Sequence, residues 1–118
     1  SETSETHFRA NWIDNSIRQL QQAKIIDIPE NRSLLDIGGA SGVFAYEMHC
    51  RGWQAEIIDP SFAGSFVEKY GVSYRQGFYG PDSIATKFNM VSMVFVLERN
   101  SLFPPNQIYS AVVIVIIY

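Results

Sequence analysis

One cysteine, Cys50, is all the 118-residue sequence contains. No disulfide can form within the chain, and a cysteine-rich metal site is excluded. There is no run of lysine or arginine, and the formal net charge is −3. A dedicated nucleic-acid surface is therefore not expected. Long apolar segments are also missing. The longest, Ala111 to Ile117, falls far short of a helix that spans a bilayer. The first residues, Ser1-Glu2-Thr3-Ser4-Glu5-Thr6, are polar and acidic, the opposite of a signal peptide. No internal repeat is present. These absences lead us to expect a soluble cytoplasmic protein without membrane or nucleic-acid partners and without a bound metal.

The chain is 47% hydrophobic and 14% aromatic, enough to build one small packed domain. Residues 1–10 read as a flexible start and residues 11–118 as that single domain. Trp12, Ile13, Ile17 and Leu20 fall on one face of a helix over residues 11–24. Pro29 interrupts the connection that follows. A strand is expected over Ser33–Ile37 and a helix over Val43–Cys50, with Gly52 ending it after Arg51. A second strand, Trp53–Asp59, stops at Pro60. Ser61 is placed to cap a helix reaching about Tyr70, with Gly71 as its stop. A third strand covers Val72–Arg75, and Tyr79-Gly80-Pro81-Asp82 is turn chemistry. Phe88–Leu97 is a near-continuous apolar run, as in a central strand buried on both faces. Pro104-Pro105 is a hard break, and Ala111–Tyr118 is a fifth strand rich in β-branched residues. Strands alternating with helices predict an α/β fold, an open, mostly parallel sheet of Rossmann-like type with right-handed crossovers.

The chemistry concentrates at Leu34-Leu35-Asp36-Ile37-Gly38-Gly39-Ala40-Ser41-Gly42. An apolar strand runs into a glycine turn, and a helix begins behind it. Such a corner offers free N–H groups and the positive end of a helix dipole. No lysine follows the glycines, so the turn is not a Walker loop. The dinucleotide spacing G-x-G-x-x-G would need glycines where Gly38, Ala40 and Val43 stand, a poor fit. Asp59 ends the next strand, where an acid in such sheets accepts hydrogen bonds from ribose hydroxyls. The plainer role for Asp59 is to cap the turn before Pro60.

Asp36-x-Gly38-x-Ala40-x-Gly42 resembles motif I of the class I methyltransferases that use S-adenosylmethionine, usually D-x-G-x-G-x-G. Ala40 is the departure. Phe88-Asn89-Met90-Val91-Ser92-Met93-Val94-Phe95-Val96-Leu97-Glu98-Arg99 resembles the fourth strand of the same family, F-D-l-I-t-x-x-h-v-L-E-H. Asn89 and Arg99 replace the usual Asp and His. The resemblance runs from Leu34 to Arg99. It implies S-adenosylmethionine as cofactor, held by Asp36, Gly38, Gly39, Ala40, Gly42, Asp59 and Pro60, with Phe78 or Tyr79 against the adenine. It implies methyl transfer to a small-molecule acceptor. Glu98 and Arg99 are the candidates for proton removal or acceptor binding, although a helix-start acid and a surface base would look the same. His49 and Cys50 fall on the first crossover helix and read as structural or exposed and not catalytic.

The family fold has seven strands, and this sequence supplies at most five, so it reads as a truncated form. A non-catalytic module of the same fold, serving as a scaffold, is the alternative. A nicotinamide-dependent oxidoreductase domain is the third reading, disfavoured by the glycine spacing. If the fifth strand is a free edge, a second copy could pair with it.

Overall fold

The computed structural model describes residues 2–39, 42–61, 65–78, 88–97 and 110–117. Its elements in order are helix α1 (Glu2–Gln22), strand β1 (Ser33–Ile37), helix α2 (Val43–Cys50), strand β2 (Gln54–Asp59), a 3-10 helix (Ser65–Tyr70), and strands β3 (Ser73–Gln76), β4 (Met90–Leu97) and β5 (Ser110–Ile117). The strands form one sheet in the order β3-β2-β1-β4-β5. β1 pairs in parallel with β2 and with β4, and β2 in parallel with β3. The chain leaves β1 first to one side and later to the other, so a switch point lies between β1 and β4. Among the described residues this is an open, mostly parallel Rossmann-like sheet, as the alternating pattern predicts.

Side chains alternate across the sheet. Leu34, Ala55, Ile57 and Met90 point to one face, where they pack with Ile13, Ile17, Phe44, Met48 and Trp53 of the helical layer. Leu35, Ile58 and Val91 make a smaller cluster on the other face, with Ile37 and Phe88 against it. The same alternation puts Asp36, Asp59 and Ser92 on the helix-covered face, all of them buried. Asn89, one of the two departures from the family pattern, has a clear use at the start of β4. Its side-chain oxygen accepts from the Ser33 N–H at 2.9 Å, and its own N–H donates to Ser33 Oγ at 3.0 Å. This bracket fixes the register of the two central strands.

Two expectations need correction. Helix α1 begins at Glu2, so residues 2–10 are helical and not a flexible lead. The buried stripe is Thr6, Ala10, Ile13 and Ile17. Its first two members are small or polar and escape a search for apolar periodicity. Trp12 lies off that stripe and is 65% exposed, while Leu20 is half-buried. The helix ends with Lys24 in the left-handed region (φ 60°) and Ile25 N–H bonded back to Leu20 O, a Schellman closure.

The segment after β2 carries a 3-10 helix in place of the expected α-helix. Ser61 does not serve it. Its N–H and Oγ turn back to Asp59 Oδ1, both at 2.8 Å. The sheet is mostly parallel as expected, and β5 supplies its antiparallel pair, running against β4 with Leu97 opposite Ser110. Only 12 residues separate these positions, two of them proline. A parallel return needs a crossover about that long for its connection alone, usually a helix, so the chain doubles back instead. Among the described residues no helix is long and apolar enough to cross a membrane.

Candidate functional site

The corner after β1 is built from the main chain outward. Gly38 N–H donates to Ile58 O at 2.8 Å, tying the turn to β2. At Gly39 a Cβ would lie 2.6 Å from Asp36 Oδ2 and 3.0 Å from Ile57 Cγ2. The turn therefore rests on the Asp36 carboxylate, and any side chain at 39 would displace it. Gly42 closes the turn with its N–H on Gly39 O at 2.7 Å and takes φ 77° as the N-cap of α2. A Cβ there would meet Val67 Cγ1 at 2.9 Å, so the 3-10 helix supports the turn from one side. Over Gly38, by contrast, a Cβ would meet nothing within 4 Å, and the residue is exposed. The turn is pinned below and open above. The N-cap of α2 is Gly42, which brings no side-chain acceptor to the first N–H groups of the helix.

Asp36 is 2% exposed, and Ser92 Oγ on β4 donates to its Oδ1 at 3.0 Å. Burial drives its pKa from 3.8 up to about 7. The Ser92 hydrogen bond and the charge of Arg9 on α1 oppose that rise, and the charge of Asp59 adds to it. The two aspartates singled out in the sequence are thus electrostatic neighbours at the ends of β1 and β2.

Asp59 is 6% exposed. Of the two roles expected for it, the turn cap is the one its contacts display. Oδ1 accepts the two Ser61 donors and closes the turn at Pro60, and this fixes the orientation of the whole group. The loop beyond β3 is fastened to the same place. Gly77 N–H donates to Asp59 O at 2.9 Å, Gln76 Nε2 donates to Pro60 O at 3.1 Å, and Tyr74 Oη donates to Ser61 O. Phe78 follows, 80% exposed, so its ring is available to a flat ligand. Glu56, earlier in β2, faces Arg75 across the sheet at 3.1 Å.

Asp36, Gly38, Gly39, Gly42, Asp59, Pro60 and Phe78 therefore converge on the carboxyl ends of β1, β2 and β3, beside the switch point where open α/β sheets take ligands. Ala40, Ser41, Tyr79, Glu98 and Arg99 lie outside the described residues. His49, on α2, has its Nδ1 against Trp53 O at 3.3 Å.

Sequence reasoning missed two participants. Ser92 announces itself only as a lone hydroxyl inside an apolar strand, and its role emerges once the register sets it opposite Asp36. Arg9 gives no signal until α1 is known to begin upstream of it.

The chain was compared with known families, curated proteins and solved structures. A family model described as a methyltransferase domain matches residues 6–109. No curated protein matches the chain. Among solved structures, the C-terminal domain of precorrin-6Y C5,15-methyltransferase from Rhodobacter capsulatus is 18% identical with a TM-score of 0.42, covering 59% of this chain and 56% of that one. The YcgJ protein from Bacillus subtilis is 17% identical with a TM-score of 0.41, covering 64% and 49%. The glycopeptide N-methyltransferase MtfA, in complex with S-adenosylmethionine, is 9% identical with a TM-score of 0.43, covering 85% and 65%. The chain thus spans between 49% and 65% of the length of these solved chains.

Proposed function

Because the chain belongs to the methyltransferase-domain family, we propose that it binds S-adenosylmethionine at the carboxyl ends of β1 and β2 and directs methyl transfer to a small-molecule acceptor. The observation that carries this reading is the turn at 38–42, pinned on Asp36 at Gly39 and open over Gly38, with Asp59 beside it. S-adenosylmethionine, when bound, supplies a methyl group already activated by a positively charged sulfur, so the protein's task is alignment and exclusion of water.

Each residue then has a defined part. Asp59, oriented by Ser61, accepts from the ribose hydroxyls. Phe78 offers its ring to the adenine. Gly38, Gly39, Ala40 and Gly42 let the ligand approach the main chain, and Pro60 holds the Asp59 turn. Asp36 sits under the turn as a carboxyl whose ionised form a cationic ligand would favour. Glu98 and Arg99, next after β4, would receive the acceptor, Glu98 taking a proton where the acceptor must lose one and Arg99 holding an anionic group. The reaction would run in the cytoplasm, where Cys50 stays reduced.

A second reading is a non-catalytic module that keeps the cofactor corner as part of a scaffold. Calorimetric titration with S-adenosylhomocysteine tests the site. Wild type should bind. Asp59→Ala should weaken binding about 10- to 100-fold, the worth of a charge-assisted hydrogen-bond pair, and Asp59→Asn should lose less. No binding by a folded wild-type chain would leave the scaffold reading in front. Turnover of an acceptor would remove it.

A further inference from the structure

Ser92 is a fully buried hydroxyl in the otherwise apolar strand β4, and Asp36 beside it is buried as well. Burying such groups is costly where apolar side chains could pack instead. Neither belongs to the apolar cluster on either face of the sheet. The core gives no reason for the pair, so the reason lies in what the pair touches.

It touches the glycine turn. Asp36 and Ser92 stand opposite each other in the register of β1 and β4, and Asp36 Oδ1 accepts from Ser92 Oγ at 3.0 Å. The other oxygen, Oδ2, lies against Gly39, only 2.6 Å from where a Cβ would be. The carboxylate is thus a strut, with one oxygen on β4 and the other at the turn. The terminal torsion of a carboxylate is broad, so its plane must be set from outside. Among the described residues, Ser92 is the hydrogen-bond donor that sets it. Gly42 N–H closes the turn on Gly39 O at 2.7 Å. A rotated Asp36 would move Gly39, and with it that closure and the start of α2.

The charges that act on Asp36 are Arg9 on α1, which favours its ionised form, and Asp59 on β2, which opposes it. Ser92 donates to the ionised form and favours it too. Loss of the hydroxyl would free the plane of the carboxylate and raise its pKa together. A packing defect would not produce both effects.

We propose that Ser92 is a positioning residue for the cofactor: from β4 it holds the Asp36 carboxylate in the plane that seats Gly39, and so places the 38–42 turn on which the cofactor lies. Its service to the cofactor rests on the function proposed above, whereas its placing of the turn does not.

The turn is read without ligand, by amide hydrogen exchange in the intact chain. In Ser92→Ala the Gly42 amide should exchange at least about tenfold faster. The Gly52 amide, bonded to His49 O at the far end of α2, should keep its rate. The carboxyl carbon resonance of Asp36 should titrate at higher pH. Ser92→Thr, which keeps the hydroxyl, should restore all three. Should Ser92→Ala not fold, Ser92→Cys, similar in size and a weaker donor, is read in the same way. An unchanged Gly42 rate with an unmoved Asp36 midpoint overturns the inference. So does equal acceleration at Gly42 and Gly52, which would mark general loosening. Calorimetry with S-adenosylhomocysteine then reads the cofactor, and Ser92→Ala should bind about tenfold more weakly than wild type. Equal binding by the two sinks the inference and leaves the proposed function standing. No binding by a wild-type chain whose Gly42 responds to Ser92 upholds the placing of the turn and sinks the cofactor reading.

Discussion

Asp36 is a carboxyl group that the fold holds near neutrality. Its pKa stands at about 7 against 3.8 because burial penalises the charge more than Ser92 and Arg9 relieve it. The sign follows directly. Between pH 4 and 7 the folded chain holds a proton that the unfolded chain has released, so the contribution of Asp36 to stability is complete below pH 4 and is lost as pH rises through 7. Asp36→Asn keeps an acceptor for Ser92 and removes the titration. The variant should be more stable than wild type at pH 8, by roughly 2–4 kcal/mol, and little different at pH 4. Urea unfolding at the two pH values checks this, and an equal offset at both would show that burial of charge is not the cause. A cation placed over the turn would act in the opposite sense, drawing the proton off Asp36.

At the scale of elements, α1 is held to α2 and β2 by polar contacts as much as by its apolar stripe. Trp53 Nε1 donates to Asp14 Oδ1 at 2.9 Å in a buried setting, and Arg18 Nε meets Asp14 Oδ2 at 2.9 Å. Nearer the start of the helix, His7 and Arg51 converge on Glu47 at 3.0 and 3.1 Å, and Arg51 Nη2 also bonds Asn11 Oδ1 at 2.7 Å. Glu47 is held below the usual carboxylate range by His7 and Arg51, against its own burial. Asp14→Ala strands the indole N–H and should cost about 1–3 kcal/mol, while Asp14→Asn should cost less. An unmoved urea midpoint for the alanine variant would show that this bond does not hold the helix.

The contacts of Trp53 with Asp14, of His7 with Glu47 and of Arg51 with Asn11 could not be read from the sequence, because they join residues some 40 positions apart. What could be read was local. The strand-turn-helix unit Ser33–Cys50 declares both its ends, through an apolar run, a glycine cluster and a glycine stop. One error, the type of the helix after β2, and one silence, the direction of β5, came from elements whose rule lies elsewhere. The 3-10 helix buries Val67 alone, so no periodic stripe marks its type, and Ser61 was already committed to Asp59. The direction of β5 is set by the length of its link to β4 and not by its own residues. The pairing of Asp36 with Asp59 was legible as spacing, whereas Ser92 and Arg9 needed the register and the helix start.

For the whole molecule, the sheet order leaves β5 at an edge. Its sequence, Ser110 to Ile117, carries no charge or proline to discourage pairing. Sedimentation velocity should therefore show a coefficient that rises with concentration, and a constant monomer value across a wide range would dismiss edge pairing. The order has a second result, which concerns time. β1 lies between β2 and β4, and its bonds to β4 join residues 56 positions apart. During synthesis β1, α2 and β2 leave the ribosome long before β4, and contacts of such long range are slow to close. Until Ser92 arrives, Asp36 remains in water and ionised. The step that joins the two halves of the sheet is also the step that must dehydrate Asp36 or hand it a proton. Refolding above neutral pH should therefore slow at that step, and the cofactor corner should be the last part of the chain to take its final form.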